Sequence, residues 1–357
     1  MATQIETNIY IEQGSCLTSQ LREVAATTDL DYVTCSIWYN LQNDVKEQIY
    51  WSVLYASGGR VEISDVGALI EAYFRGKGIA TGDIEIRFDD TSTKLEVLYC
   101  EVVKPAAWDF TEQLWIASHV QRVHYDSVVR IYAYVNSNIH GLIKIMGHRR
   151  SDGNLGVLEY PVQFPFEQSD CYEMDVKSKV DWALGRTTDA PESPLSDVAM
   201  LSFEYLESQV LFYLMNDTEY LTFEFRNIFN CPERVDICGT VKVKTEIDRK
   251  EAVSGGSTLQ YDRKVTRSYE VETEALSDED AKRVVQLIAS HTAAVLIDGE
   301  LRKIIITDET CESSNDDESL TSYKFTWQFA DRRLIDWDAA MPTHDGIFTQ
   351  EYTEEYE

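Results

Sequence analysis

The sequence predicts a mainly β protein with a few helices, built as two or three sandwich- or barrel-like domains, each with a flanking helix. Three observations carry that expectation. The apolar stretches are short, rich in β-branched and aromatic residues, and bounded by turn residues. Only two windows show a clear helical period. Tyrosine occurs 20 times in 357 residues, and its half-polar ring suits pleated surfaces and interfaces.

In chain order, "YVTCSIWYN", "EQIYWSVLYA", "GDIEIRFDD" and "KLEVLYCEVV" read as strands of a first domain, 1–104. Between them "SDVGALIEAYFRGKG" places Val66, Leu69, Ile70, Tyr73 and Phe74 at helical spacing, with Ser64 as the expected cap and Gly76 as the expected stop. A boundary is expected near Lys104-Pro105. In a middle domain, 105–197, "SVVRIYAYV" and "GLIKIMGH" read as a strand pair joined through Asn136 to His140. "FPFEQSDCYEMD" has no clear period. "GRTTDAPESPLSD", Gly185 to Asp197, has the composition of a linker.

The C-terminal domain, 198–335, is the most regular. "MLSFEYL", "QVLFYLM" and "YLTFEFRN" read as a meander, Leu221, Phe223 and Phe225 facing inward. After an Asn-Cys-Pro-Glu corner come "RVDICGTVKVKTEI", a loop "AVSGGST", and the strand "RSYEVETEAL". A helix over 278–290 follows, capped by Ser277, with Ala281, Val284, Val285 and Ile288 as its stripe. Asp298-Gly299 marks a tight hairpin turn, and "SYKFTWQFADRR" closes the domain before an acidic tail, 336–357. The strand–helix–strand order of 61–88 loosely echoes that of 269–307.

Composition narrows the function. Hydrophobic residues make up 44% of the chain, enough for packed cores. A net charge of −30, from 62 acidic and 32 basic residues, repels phosphate backbones and argues against nucleic acid. Seven widely spaced cysteines without a Cys-x-x-Cys read as reduced thiols made in a cytosol. The N-terminus has no basic and apolar leader pattern, and no apolar run reaches the roughly 18–20 residues that span a bilayer. The expectation is therefore no secretion signal and no membrane.

The reactive residues do not assemble into a motif. His119 and His124 stand five apart with no glutamate in zinc-protease spacing. Cys231 has a carboxylate and a proline as neighbours, neither of which activates a thiol. "ESSNDDES" lacks the glycine and final glutamate of a calcium loop. Gly76, Gly78 and Gly82 follow a helix, whereas a phosphate cradle follows a strand. Trp38, Trp51, Trp108 and Trp115 are candidates for stacking on sugars, with core packing as the alternative. No cofactor, metal or catalytic residue is assigned.

The corner itself is more specific. "FEFRNIFNCPE" resembles a Phe-x-Phe-x-Asn-x-Phe-x-x-Pro-Glu segment of tail-region structural proteins of tailed bacteriophages and prophages. The similarity continues through the Gly/Ser loop and the strand–helix–strand unit to "SYKFTWQFADRR", about Tyr220 to Arg333. It singles out Phe225, Asn227, Phe229, Pro232, Glu233, Trp327 and Asp331 as structural or interface residues, and it brings no catalytic residues. It implies a non-enzymatic virion protein of a tail or baseplate, assembled in the host bacterial cytoplasm, whose partners are copies of itself and neighbouring tail proteins. A glycan-binding adhesion module and a wall-degrading enzyme are the rival classes. Within the corner, Asn230 takes turn geometry, Pro232 ends the ladder, and Cys231 packs as a small apolar group. Phe225 and Phe229 are expected to anchor it in the core beneath the 278–290 helix.

Overall fold

The computed structural model describes residues 4–7, 15–41, 45–105, 108–134, 140–163, 171–192, 194–216, 219–254, 256–311 and 321–331. These residues are mainly β with few helices. The segment "ESSNDDES" and the acidic tail lie outside them. Among the described residues, no helix is long and apolar enough to cross a membrane.

The first group of elements is β1 (Gln4–Thr7), β2 (Ser15–Leu17), β3 (Glu23–Thr27), β4 (Tyr32–Asn40), β5 (Lys46–Tyr55), β6 (Arg60–Ser64), α1 (Val66–Lys77), β7 (Thr81–Phe88) and β8 (Thr91–Leu98). They form a three-stranded sheet, β1-β3-β6, and a five-stranded sheet, β2-β8-β7-β4-β5. Alternation decides what each strand buries: Val33, Cys35 and Ile37 of β4 face Ile84, Ile86 and Phe88 of β7 in one core. Val66, Ile70 and Phe74 of α1 enter the same core.

The capping of α1 differs from expectation. Its first residue follows Asp65, which is left-handed at φ 55° and makes no side-chain cap, and the helix stops at Gly78, not Gly76. Gly78 has φ 69°, and the Gly78 and Ile79 amides bond back to Arg75 and Phe74, a Schellman closure.

The second group is β9 (Val120–His124), β10 (Val128–Tyr132), β11 (His140–His148), β12 (Leu155–Gln163), β13 (Cys171–Asp175), α2 (Val176–Ala183), β14 (Met200–Tyr205) and β15 (Ser208–Met215). The sheet order is β12-β11-β14-β15-β9, with β15 and β9 parallel, and β10 pairs separately with β13. Three sequence expectations are corrected here. β10 and β11 are not a pair. The strands at 200–205 and 208–215 do not continue into 221–226 as a meander; they belong to this sheet. The proline-rich stretch 185–197 is not a free linker, because Leu195 is buried and bridges to Arg149, and strands before and after it share the sheet. α2 is a two-turn helix with too few residues to show a period; Asp175 caps it by accepting from the Ser178 amide.

The third group is β16 (Leu221–Arg226), β17 (Pro232–Ile237), β18 (Gly239–Ser254), β19 (Ser257–Thr273), α3 (Asp278–Ala289), β20 (Ala293–Ile297), β21 (Glu300–Cys311) and β22 (Tyr323–Phe329). All seven strands make one sheet, β17-β16-β20-β21-β22-β19-β18. Ser277 caps α3 as expected. Its buried stripe is Ala281, Val284 and Leu287, while Val285 is exposed. Asp298 and Gly299 both have positive φ and turn β20 into β21. Both strand–helix–strand units exist, but β6 and β7 lie in different sheets, whereas β19 and β20 share one.

One buried charge in the first core gives a pH handle. Arg87 grips both oxygens of Glu85 at 2.9 and 3.0 Å, and Lys46 adds a third contact. These partners, Arg87 foremost, hold the Glu85 carboxyl down to about 2. A depressed carboxylate stabilises above its unfolded value, near 4.3, and that contribution is lost as pH falls through about 2. Glu85→Gln is therefore expected to lower the melting temperature at pH 7, with the gap to wild type closing between about pH 4 and pH 2. Thermal scans across that range check it; a gap that stays constant counts against the ion pair.

Candidate functional site

The corner that carries the family resemblance is a junction of three cores. β16 delivers Arg226 and Asn227 to its near side, and β17 starts at Pro232, paired with Arg226. Between them Asn230 adopts φ 58°, the left-handed turn geometry expected of it.

Asn227 is buried and uses its whole amide. Its Oδ1 accepts from the Phe229 and Cys231 amides at 2.9 and 3.2 Å, closing the turn. Its Nδ2 donates to the Trp115 carbonyl and to Glu233 Oε2, both at 3.0 Å. Glu233 is equally enclosed. Oε2 also accepts from the Ala117 amide at 2.8 Å, while Oε1 accepts from Gln121 at 3.4 Å and from Arg283 Nε at 3.2 Å. Arg283, from α3, is 2% exposed and donates its other arm to the Arg234 carbonyl. Segment 115–121, the corner and α3 thus meet on one carboxylate. A buried carboxylate with four donors, two on each oxygen, is a structural node.

The opposite side of the corner grips the first core. Asn230 Nδ2 donates to the carbonyls of Phe74 and Ile79 at 3.1 and 2.8 Å, serving the C-terminus of α1, where helix carbonyls lack intrahelical donors. Arg226 Nη1 bonds the Gly78 carbonyl at 3.0 Å and the Asn230 carbonyl at 2.5 Å. The positive φ at Gly78 favours glycine; a Cβ there would also sit 2.8 Å from the Arg226 guanidinium and displace the end of that side chain. The Glu101 amide adds a bond to the Ile228 carbonyl.

Apolar packing fills the space between. Leu17, Leu98 and Cys100 from the first group meet Phe110 and Trp115, and Phe229 and Cys231 from the corner. Phe229 stacks on Trp108 with centroids 5.6 Å apart and rings 8° from parallel, and Lys104 lies over both rings. Phe229 therefore does not anchor beneath α3 as the sequence suggested. It belongs to this shared cluster because Asn227 folds the turn away from the sheet.

The remaining candidates separate. Phe225 and Trp327 pack in the C-terminal core, Trp327 stacked 4.2 Å from Tyr269. Asp331 is exposed, beyond the end of β22. Of the four candidate tryptophans, Trp115 is buried, Trp38 lies under Arg87, Trp108 stacks on Phe229, and only Trp51 is mostly exposed. His124 is buried, stacked on Tyr220 at 3.7 Å with Cys238 Sγ 3.6 Å from Nε2, while His119 bonds the Gln209 carbonyl. Among the described residues, no group of three His, Cys, Asp or Glu side chains is placed to hold a metal. Sequence reading missed Arg226, Gln121 and Arg283. Arg283 gave no signal, since nothing in linear spacing ties it to a glutamate fifty residues earlier.

No family model matches the chain, and no curated protein matches it. Solved structures similar to part of it come from gene transfer agent (GTA) particles. One, described as the tail of an empty particle with C6 symmetry, is 16% identical, covers 31% of this chain and 91% of its own, and has a TM-score of 0.23. Another, described as the virion of a native particle, is 14% identical over 33% of this chain and 95% of its own, also at 0.23. At these scores the likeness does not establish a shared fold.

Breaking one side of the node leaves a charge buried without its partner. Arg283→Met is expected to destabilise the chain by about 3–5 kcal/mol, and adding Glu233→Gln to recover part of that loss. Urea denaturation of both variants measures it. Phe229→Ala is expected to cost a similar 3–5 kcal/mol or so through the cavity it leaves. Asn230→Gly keeps the backbone relaxed while removing the two caps, so hydrogen exchange should speed up at 74–80 without global unfolding.

Proposed function

We propose that this chain is a non-enzymatic structural protein of a phage-like tail or baseplate, built of three β-rich units with one flanking helix each. The units proposed are 4–105, 108–216 and 219–331, followed by the acidic tail. The carrying observation is that Asn227, Phe229 and Glu233 of the family-like segment form an inward-facing, fully bonded junction. A motif whose side chains are consumed by joining cores serves architecture, not turnover.

Electrostatics supports the same reading. The buried carboxylates among the described residues, Glu85, Glu233 and Asp280, are each held by a cation, from Arg87 and Lys46, from Arg283, and from Arg122 at 2.7 Å. A glycoside hydrolase needs two carboxyl groups facing across a cleft with one free to take a proton. None of these three is arranged so. The strong negative charge keeps free copies apart until a complementary surface arrives.

The test is negative-stain imaging of the purified chain, alone and co-expressed with the products of neighbouring genes. Rings, tubes or defined complexes are expected. Release of sugar fragments from purified cell wall, with no assembly under any condition, would refute the proposal.

A further inference from the structure

Among the described residues, the longest strand pair is flanked by no further strand for most of its length. β18 and β19 pair from Gly239↔Thr273 out to Ser254↔Ser257, with one register shift between Lys250 and Glu251, yet β22 joins β19 only over Tyr269–Glu272. Beyond Lys244↔Ser268, among the described residues, the hairpin is a two-stranded ribbon of roughly 35 Å, at about 3.3 Å per residue. An isolated hairpin is marginal in water, so a ribbon of this length gains from a surface to lie on. Its composition stands apart from the rest of the chain. Residues 244–268 hold six basic and four acidic residues in a protein of charge −30. Ile247, exposed beside Val265, carries the apolar face of the sheet out onto the ribbon.

The first core presents a surface of opposite character. On the outward face of β4 and β5, Tyr32, Trp51 and Tyr55 are 58%, 58% and 79% exposed, with Val53 between the last two. Register places them together: Tyr32 pairs with Tyr55, and Ser36 with Trp51. Leu30 extends the patch. The turns at its end carry the exposed Asp29, Asp31, Asp89 and Asp90; the Asp89 carboxylate bonds the Thr34 amide beside Val53. An apolar strip rimmed by carboxylates suits a basic ribbon with an apolar ridge.

We propose that the β18–β19 ribbon of one copy docks on the Tyr32–Trp51–Val53–Tyr55 face of a second copy. The inference rests on the assembly reading above and names its surfaces. The contact is heterologous, since ribbon and face are different patches of one chain, so it propagates into a ring or an open filament.

The test uses the full chain and sedimentation velocity across a concentration series. Arg249→Glu with Lys250→Glu, and separately Asp31→Lys with Asp90→Lys, are each expected to weaken self-association by about tenfold or more. Mixing the two charge-reversed variants should restore it. Trp51→Ala should weaken it without mixing rescue, and roughly 0.5 M salt, which shortens the screening length to a few Å, should weaken the wild type. All the altered positions are exposed, and circular dichroism confirms that each variant is folded. Wild-type assembly that no variant changes overturns the docking while leaving the assembly reading intact. Loss without rescue on mixing also overturns it. A wild type that stays monomeric, alone and with co-expressed neighbours, overturns both. Oligosaccharide binding by the monomer that depends on Trp51, with assembly untouched, would make the face a sugar platform instead.

Discussion

Everything in this structure leans on one buried carboxylate. Glu233 sits where three hydrophobic cores converge, and an ion taken out of water there is tolerable only with a full set of donors. Asn227, the Ala117 amide, Gln121 and Arg283 supply them. Each comes from an element that its own core already holds, so the requirements of one oxygen pair set the relative placement of those elements. Apolar contact is non-directional and would permit sliding between cores; the hydrogen bonds set the register.

The second joint works by a different principle. A helix ends with carbonyls that its own backbone cannot satisfy. α1 closes through Gly78 and Ile79, and its remaining demand is met by Asn230 and Arg226, about 150 residues further along the chain. Both sides rely on left-handed backbone, Gly78 and Asn230, because only there does the chain turn sharply enough for two main chains to approach. The middle group is tied in as well: Arg130 bonds Glu224 at 2.7 Å and Ser118 bonds Glu279 at 2.7 Å. The polar side chains at both joints are spent on holding neighbouring elements in fixed relation.

Local patterns were legible where the local environment decides. Tyr32–Ile37 alternates cleanly because one face is buried and the other is wetter, and that contrast is written in residue type. The Ser277 cap and the Asp298-Gly299 turn are satisfied within a few residues, so their chemistry shows in sequence. The errors share a cause. The assignment of 200–215 to the C-terminal sheet followed chain order, but sheet membership is set by which neighbour buries the inner face. α3 turns Leu287 inward and leaves Val285 exposed because the partner sheet covers a narrower arc than hydrophobicity alone suggests. Phe229 was placed with the wrong core because an aromatic residue records that it will be buried, not where.

The sequence by itself determined the class of the molecule: mainly β, acidic, with a turn at Asn230. These follow from composition, period and turn chemistry, all short-range. Only the tertiary structure decided that Glu233 meets Arg283, that Asn230 caps a distant helix, and that a basic ribbon stands opposite in character to an acidic aromatic face. Hydrogen bonds and ion pairs act through space over about 3 Å, and separation along the chain carries no information about that distance.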